Sequence, residues 1–184
     1  MATTAKVTAE QLWEMGEDCR CELIEGELVE MSPAGREHGA IGGRLAAYAG
    51  IFILDQDLGE TYTSDTGFRL GPETVLQPDV SYVRTERLPT DVDPIGFLPL
   101  APDWAVEVIS PSERPAATQR KIYLYLDAGV QLLWVVYPAT RTVTVYTQDQ
   151  PPRTLTVDDI LDGEDLLPGF TLPVRALFEK TPRR

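Results

Sequence analysis

The order of segments predicts an α/β domain of the α+β kind, a mixed central β-sheet flanked by helices. Three observations predict it. Two strand-like runs, residues 79–84 and 103–109, precede a helical run opening at Ser110, and another strand follows at 131–137. Such a series needs a sheet with helices packed on it. A second helical run, 37–55, carries His38, Ile41, Leu45, Tyr48, Ala49 and Phe52 at intervals of three and four, the spacing of one buried helix face. The 184 residues suit one domain, spanning 1–184 with a core at 21–178, an N-terminal helix within 1–20 and a tail at 179–184.

Each element has a local reason. Thr8-Ala9-Glu10-Gln11 is a capping box, with Val7 and Leu12 placed to staple the first helix. Apolar Leu23, Ile24, Leu28, Val29 and Met31 flank Glu25-Gly26, so residues 21–31 read as a hairpin with Gly at the turn. Ser32-Pro33-Ala34-Gly35 breaks that strand before the long helix. Gly42, Gly43 and Gly50 weaken the helix but would permit close packing on a sheet. A strand is expected at 60–70. A loop at 85–102 holds Pro89, Pro94, Pro99 and Pro102. The second helix runs to Ala128 and stops at Gly129. Residues 134–146 form a hairpin through Pro138-Ala139-Thr140. The acidic run 149–165 reads as surface loop, and 168–178 as a turn with a short closing helix.

Composition narrows the chemistry. Twenty-nine acids against 16 bases give −13, which argues against passive adhesion to nucleic acid or anionic lipid. It leaves room for a phosphate substrate reached through a bridging cation. Residues 1–40 hold nine acids and three bases. The longest apolar stretch, 46–54, is too short to span a membrane, and the first residues lack a secretory signal, so the expected location is the cytoplasm. Cys19 and Cys21 are then expected as reduced, metal-free thiols. A single histidine, His38, excludes His-rich zinc sites. No nucleophile elbow or phosphate-cradling P-loop occurs. Carboxylates, arginines and three lysines remain.

Among these, Glu107 interrupts the apolar strand Trp104-Ala-Val-Glu-Val-Ile109, where central strands are apolar on both faces. A carboxylate there must be paired, protonated or bound to a cation. Asp79 follows Pro78, which cannot donate to a ladder and so marks a strand start. Two carboxylates on neighbouring strands can hold Mg²⁺, which takes oxygen ligands at about 2.1 Å and keeps several waters. Lys121 lies on the second helix. Lysine occurs only at 6, 121 and 180, against thirteen arginines, so a lysine inside the domain is a choice.

The blocks Glu22–Pro33, His38 with Ile41 and Leu45, Asp65-Thr-Gly-Phe68, Pro78-Asp-Val80, Val106–Pro111, Lys121–Val130 and Trp134–Pro138 resemble the Uma2 (DUF820-like) family of the PD-(D/E)XK nuclease superfamily. The resemblance covers about 21–178. It implies a restriction-endonuclease-like core and a Mg²⁺-dependent endonuclease acting on DNA, with Mn²⁺ as an alternative ion and a homodimer presenting two clefts to two strands. Asp79 and Glu107 match the motif acids and would hold the metal, with the Val108 carbonyl as a third ligand. The lysine expected two residues after the acid is Ile109 here; Lys121 fits a lysine moved to the helix.

Plainer readings stand beside these. Glu107 is compatible with a core ion pair, Asp79 with a turn cap, and Lys121 with a solvated helix face. His38 reads as a satisfied, partly buried histidine, with a supporting role behind the metal open to it. Glu22, Glu25 and Glu27 read as solvated hairpin charges, with Glu27 the accessory acid. Arg36, Arg44, Arg114 and Arg120 would form a basic rim. The alternative function is an inactive nuclease-fold module that binds protein or nucleic acid. Repulsion between Asp79 and Glu107 predicts that removing either stabilises the metal-free protein.

Overall fold

A computed structural model of the chain describes residues 6–16, 19–90 and 96–179. Pro94 of the expected proline-rich loop and Lys180 lie outside them. Helix α1 (Ala9–Glu14) is followed by β1 (Cys21–Ile24), β2 (Glu27–Glu30), α2 (Arg36–Asp55), β3 (Gly59–Thr63), β4 (Phe68–Gly71), β5 (Thr74–Leu76) and β6 (Val80–Arg84). Next come β7 (Trp104–Val108), α3 (Pro115–Asp127), β8 (Leu132–Tyr137), β9 (Thr142–Thr147), β10 (Arg153–Leu155), β11 (Ile160–Gly163), β12 (Leu167–Pro173) and α4 (Arg175–Phe178).

The main sheet has six strands in the order β10-β9-β8-β7-β6-β3. Only β7 and β8 run parallel, because α3 is the crossover between them. The sheet is therefore mixed, as the sequence predicts. Strands β2-β1-β5-β4 form a smaller antiparallel sheet, and β11-β12 a ribbon.

Alternation along β7 divides the core. Trp104, Val106 and Val108 meet Ile41, Leu45, Ala49 and Ile53 of α2. Ala105 faces the other way, with Ile122 and Tyr125 of α3, Leu133 and Val135. Burying each of these large apolar side chains contributes about 1.5–3 kcal/mol. Helix α3 begins with Pro115 in its first turn, where a missing N–H costs nothing. It ends at Gly129, whose φ of +90° suits a residue without a Cβ.

The capping box of α1 forms, with Thr8 accepting from the Gln11 N–H and Gln11 from the Thr8 N–H. Four expectations change. The strand expected at 60–70 is two strands in different sheets, split by a turn in which Gly67 is required: a Cβ there would lie 2.5 Å from the Phe97 ring. The acidic run 149–165 is not all loop, since β10 and β11 lie in it, and residues 168–173, expected as a turn, belong to β12, which pairs with β11 to make the ribbon. The ribbon buries Leu161, Leu167, Phe170 and Leu172 under α2. Gly42 and Gly43 do not serve sheet packing, because a Cβ at either would meet open space. Cys19 and Cys21 are joined in a disulfide; their Cα atoms, 5.4 Å apart, lie within bridging range despite the single intervening residue.

Candidate active site

Strand β6 starts late on β7 because Pro78 cannot donate. Asp79 continues the ladder with its side chain: its N–H donates to the Val106 carbonyl (2.9 Å), and its Oδ2 accepts the Val108 N–H (2.7 Å). The carboxylate is thus fixed across the end of β7. His38, near the start of α2, brings Nε2 to 3.3 Å from the same oxygen. Its hydrogen bond to Asp79 raises the His38 pKa above its ordinary value, against the opposing effect of burial.

Glu107 projects from β7 towards α3 and is 7% exposed. Both its oxygens are gripped from that helix. The Tyr125 hydroxyl donates to Oε1 at 2.6 Å and the Lys121 ammonium to Oε2 at 2.8 Å. Lys121 and Tyr125 are one helical turn apart and so share a face. Lys121 Nζ lies 3.0 Å from Glu22 Oε1 on β1. That oxygen also accepts the Gln77 N–H at 2.9 Å.

Electrostatics follow from this packing. Burial pushes the Glu107 carboxyl up to about 8; Lys121 opposes the rise, while the Glu22 and Asp79 carboxylates add to it. Burial works against the Lys121 charge, but Glu107 and Glu22 outweigh it and hold the ammonium protonated. Burial and the neighbouring Glu107 raise the Tyr125 hydroxyl well above its usual value. Three carboxylates (Glu22, Asp79 and Glu107) face one ammonium and one histidine, so negative charge is in excess.

These groups line one cleft of about 630 Å³, walled by α2 on one side and by the start of α3 and the β1–β2 hairpin on others. Asp79, Glu107, Val108, Lys121 and His38 all reach it. Glu27 does not: it is exposed and bound by Arg120 Nη1 at 3.0 Å, because β2 is an edge strand exposed throughout. Glu22 is the hairpin acid inside, at 5% exposure. It is buried because β1 lies inside its sheet, and the four-residue strand is too short for the sequence alone to set Glu22 apart from Glu25 and Glu27. Tyr125 was legible as the residue four after Lys121. The expected basic rim is thinner than four arginines. Arg120 is engaged by Glu25 and Glu27, and Arg44 donates to the Leu177 carbonyl. Arg114 and Arg20 border the cleft.

Among the described residues, no group of three or more His, Cys, Asp or Glu side chains is placed to hold a metal ion, and no helix is long and apolar enough to cross a membrane. No protein with a curated description matches the chain. Among solved structures, the crystal structure of a "putative nuclease belonging to DUF820" from Anabaena variabilis is similar, with a TM-score of 0.82 at 22% identity, covering 94% of this chain and 97% of that one. The profile of the Uma2 family, described as "Putative restriction endonuclease", matches residues 9–175. The family and the nuclease-like fold together support a nuclease role, and the chain belongs to the Uma2 family.

Proposed function

We propose that the chain is a Mg²⁺-dependent endonuclease that hydrolyses phosphodiester bonds in DNA. The observation that carries this reading is the meeting of Asp79, Glu107 and Lys121 in one cleft beside the start of β6 and the end of β7. The donor set suits a hard divalent ion. Mg²⁺ asks for one or two carboxylates rather than a full protein cage, and the cleft has excess negative charge to offer. Asp79 and Glu107 would hold Mg²⁺ or Mn²⁺, with the Val108 carbonyl beside them. When bound, such an ion supplies Lewis acidity and lowers the pKa of a coordinated water.

The chain's own residues do the rest. Val108 N–H and His38 fix the Asp79 carboxylate, and Tyr125 fixes Glu107, so that neither acid has to reorganise during reaction. Lys121 offers a compact positive charge to the attacking water or to charge developing on the phosphate. Arg114 and Arg20 border the approach and can engage neighbouring phosphates. A homodimer would present two such clefts to the two strands of a duplex.

A second reading, an inactive nuclease-fold module, is favoured by one observation: both ammonium contacts of Lys121 are already carboxylates of this chain. Incubating purified protein with plasmid and Mg²⁺ or Mn²⁺, beside a chelator control and Asp79→Ala, separates the two. Cleavage that needs both the ion and Asp79 is expected. DNA binding without cleavage under every condition would favour the module, and cleavage in chelator would sink the metal reading.

A further inference from the structure

We propose that Glu22 is a positioning residue that fixes the Lys121 ammonium over Glu107. Lys121 reaches the cleft from a helix on a flexible four-carbon stem, and one partner leaves a three-donor ammonium free to swing. Glu22 supplies the second point from a different element. Its Oε1 stands 3.0 Å from Lys121 Nζ, while Glu107 Oε2 stands at 2.8 Å. Glu22 is itself pinned, since the same oxygen accepts the Gln77 N–H at 2.9 Å, and the Gln77 side chain returns a hydrogen bond to the Cys21 carbonyl at 3.1 Å. The series Gln77–Glu22–Lys121–Glu107–Tyr125 thus joins the small sheet, α3 and β7 through one nitrogen. Glu22 is 5% exposed and Glu107 7%. A buried carboxylate at a second site is costly without a matching cation, and Lys121 is the only cation given to Glu22 among the described residues.

The catalytic meaning of this placement rests on the nuclease reading; the placement itself does not, and its test needs no activity. The chain has three lysines, and the Lys6 side chain is 59% exposed. In ¹⁵N spectra of lysine ammonium groups, the full-length metal-free protein should show a slowly exchanging signal that disappears in Lys121→Met. Glu22→Gln keeps an acceptor for Gln77 and should lose that signal too. Glu22→Asp keeps the charge, should retain a weakened signal, and serves if the Gln variant does not fold. In a denaturation cycle of Glu22→Gln, Lys121→Met and the double variant, the two changes should couple by about tenfold in the unfolding equilibrium constant. A role confined to holding Gln77 would give additive effects and an unchanged signal, overturning the proposal. So would an intact signal with weakened Mg²⁺ binding in Glu22→Gln, which would make Glu22 a ligand. If the protein cleaves DNA, Glu22→Gln should lower kcat about a hundredfold with KM and Mg²⁺ affinity unchanged, while coupling in a protein without cleavage would leave Glu22 assigned and remove only the nuclease reading.

Discussion

Two buried carboxylates stand four residues apart at the two ends of β7, and they are satisfied in opposite ways. Asp103 is fully buried. It accepts from Arg84 Nε (2.9 Å), the Arg84 N–H (3.0 Å), Arg87 Nη1 (2.8 Å) and Gln131 Nε2 (3.2 Å). Two guanidiniums answer one carboxylate, and planar donors are fixed in a fork. At the other end, Glu107 shares one ammonium with Glu22 and has Asp79 nearby. Burial alone therefore does not distinguish the two acids. The sign of the local charge excess does: Asp103 is overcompensated, whereas Glu107 is short of positive charge.

The sharpest test of this contrast is a pair of isosteres. Asp103→Asn should cost about 3–5 kcal/mol of stability, because two partly buried guanidiniums lose their counter-ion, and should leave divalent-ion binding intact. Glu107→Gln should abolish ion binding while costing little stability in metal-free buffer, since it relieves the charge excess and keeps an acceptor. Chemical denaturation and ion titration of both variants would break the comparison if the effects were exchanged. Asp79 behaves differently from the stabilisation that charge repulsion alone predicts. Asp79→Ala strands the Val108 N–H and should destabilise by about 1–3 kcal/mol.

Lysine and arginine divide along the same line, arginine at Asp103 and lysine at Glu107. Lys121→Arg should fold and lose most of any cleavage, because a planar fork does not replace a compact ammonium between two carboxylates. Cleavage at the wild-type rate would show that the ammonium has no chemical part.

The cleft end should also respond to pH. Glu107 is raised from 4.5 to about 8, so the folded state binds more protons than the unfolded state across that window. Its contribution is fully present below about pH 4.5 and is lost as pH rises towards 8. The raised His38 pKa acts in the same direction above about 6.5. Melting in metal-free buffer should therefore show stability falling from pH 5 to 8.5. Glu107→Gln should flatten the fall, and Mg²⁺ should restore stability at the alkaline end.

The smallest expected effect is on salt dependence. With −13 net charge, added salt screens repulsion as well as attraction. DNA affinity measured in Ca²⁺ should have a salt slope well below that of a protein neutralising 6–10 phosphates. Steep, tight binding in chelator would reveal a basic surface not accounted for by Arg20 and Arg114.

Legibility in the sequence followed how local each cause was. The helix faces, the β1–β2 turn and the parallel crossover came from periodicity, glycine and chain order. Glu107 was legible as a charge in an apolar strand, and Asp79 from the proline before it. Glu22 was missed because β1 is four residues long, too short to display its burial against β2 and β5. The ribbon was missed because Pro168-Gly169 and the shift of register after Asp162 hide the alternation of Phe170 and Leu172. The disulfide is as local as a bridge can be and was missed because the cysteines were assigned from the expected compartment rather than from their geometry, whereas the spent arginines depend on contacts across the fold that no short window contains.

Arg120 and Lys121 are consecutive on α3 and hold the same hairpin at two points. Arg120 reaches Glu25, Glu27 and the Ile24 carbonyl at its tip, and Lys121 reaches Glu22 inside. Two adjacent residues of a helix cannot release such a partner independently. The hairpin and α3 should therefore open as one cooperative unit in native-state hydrogen exchange, with the amides of β1 and of the 120–125 segment sharing a single opening free energy. Opening of that unit would part Lys121, Tyr125 and Glu22 together from the Asp79 and Glu107 carboxylates, so the exchange of these amides would report on the integrity of the whole cleft wall.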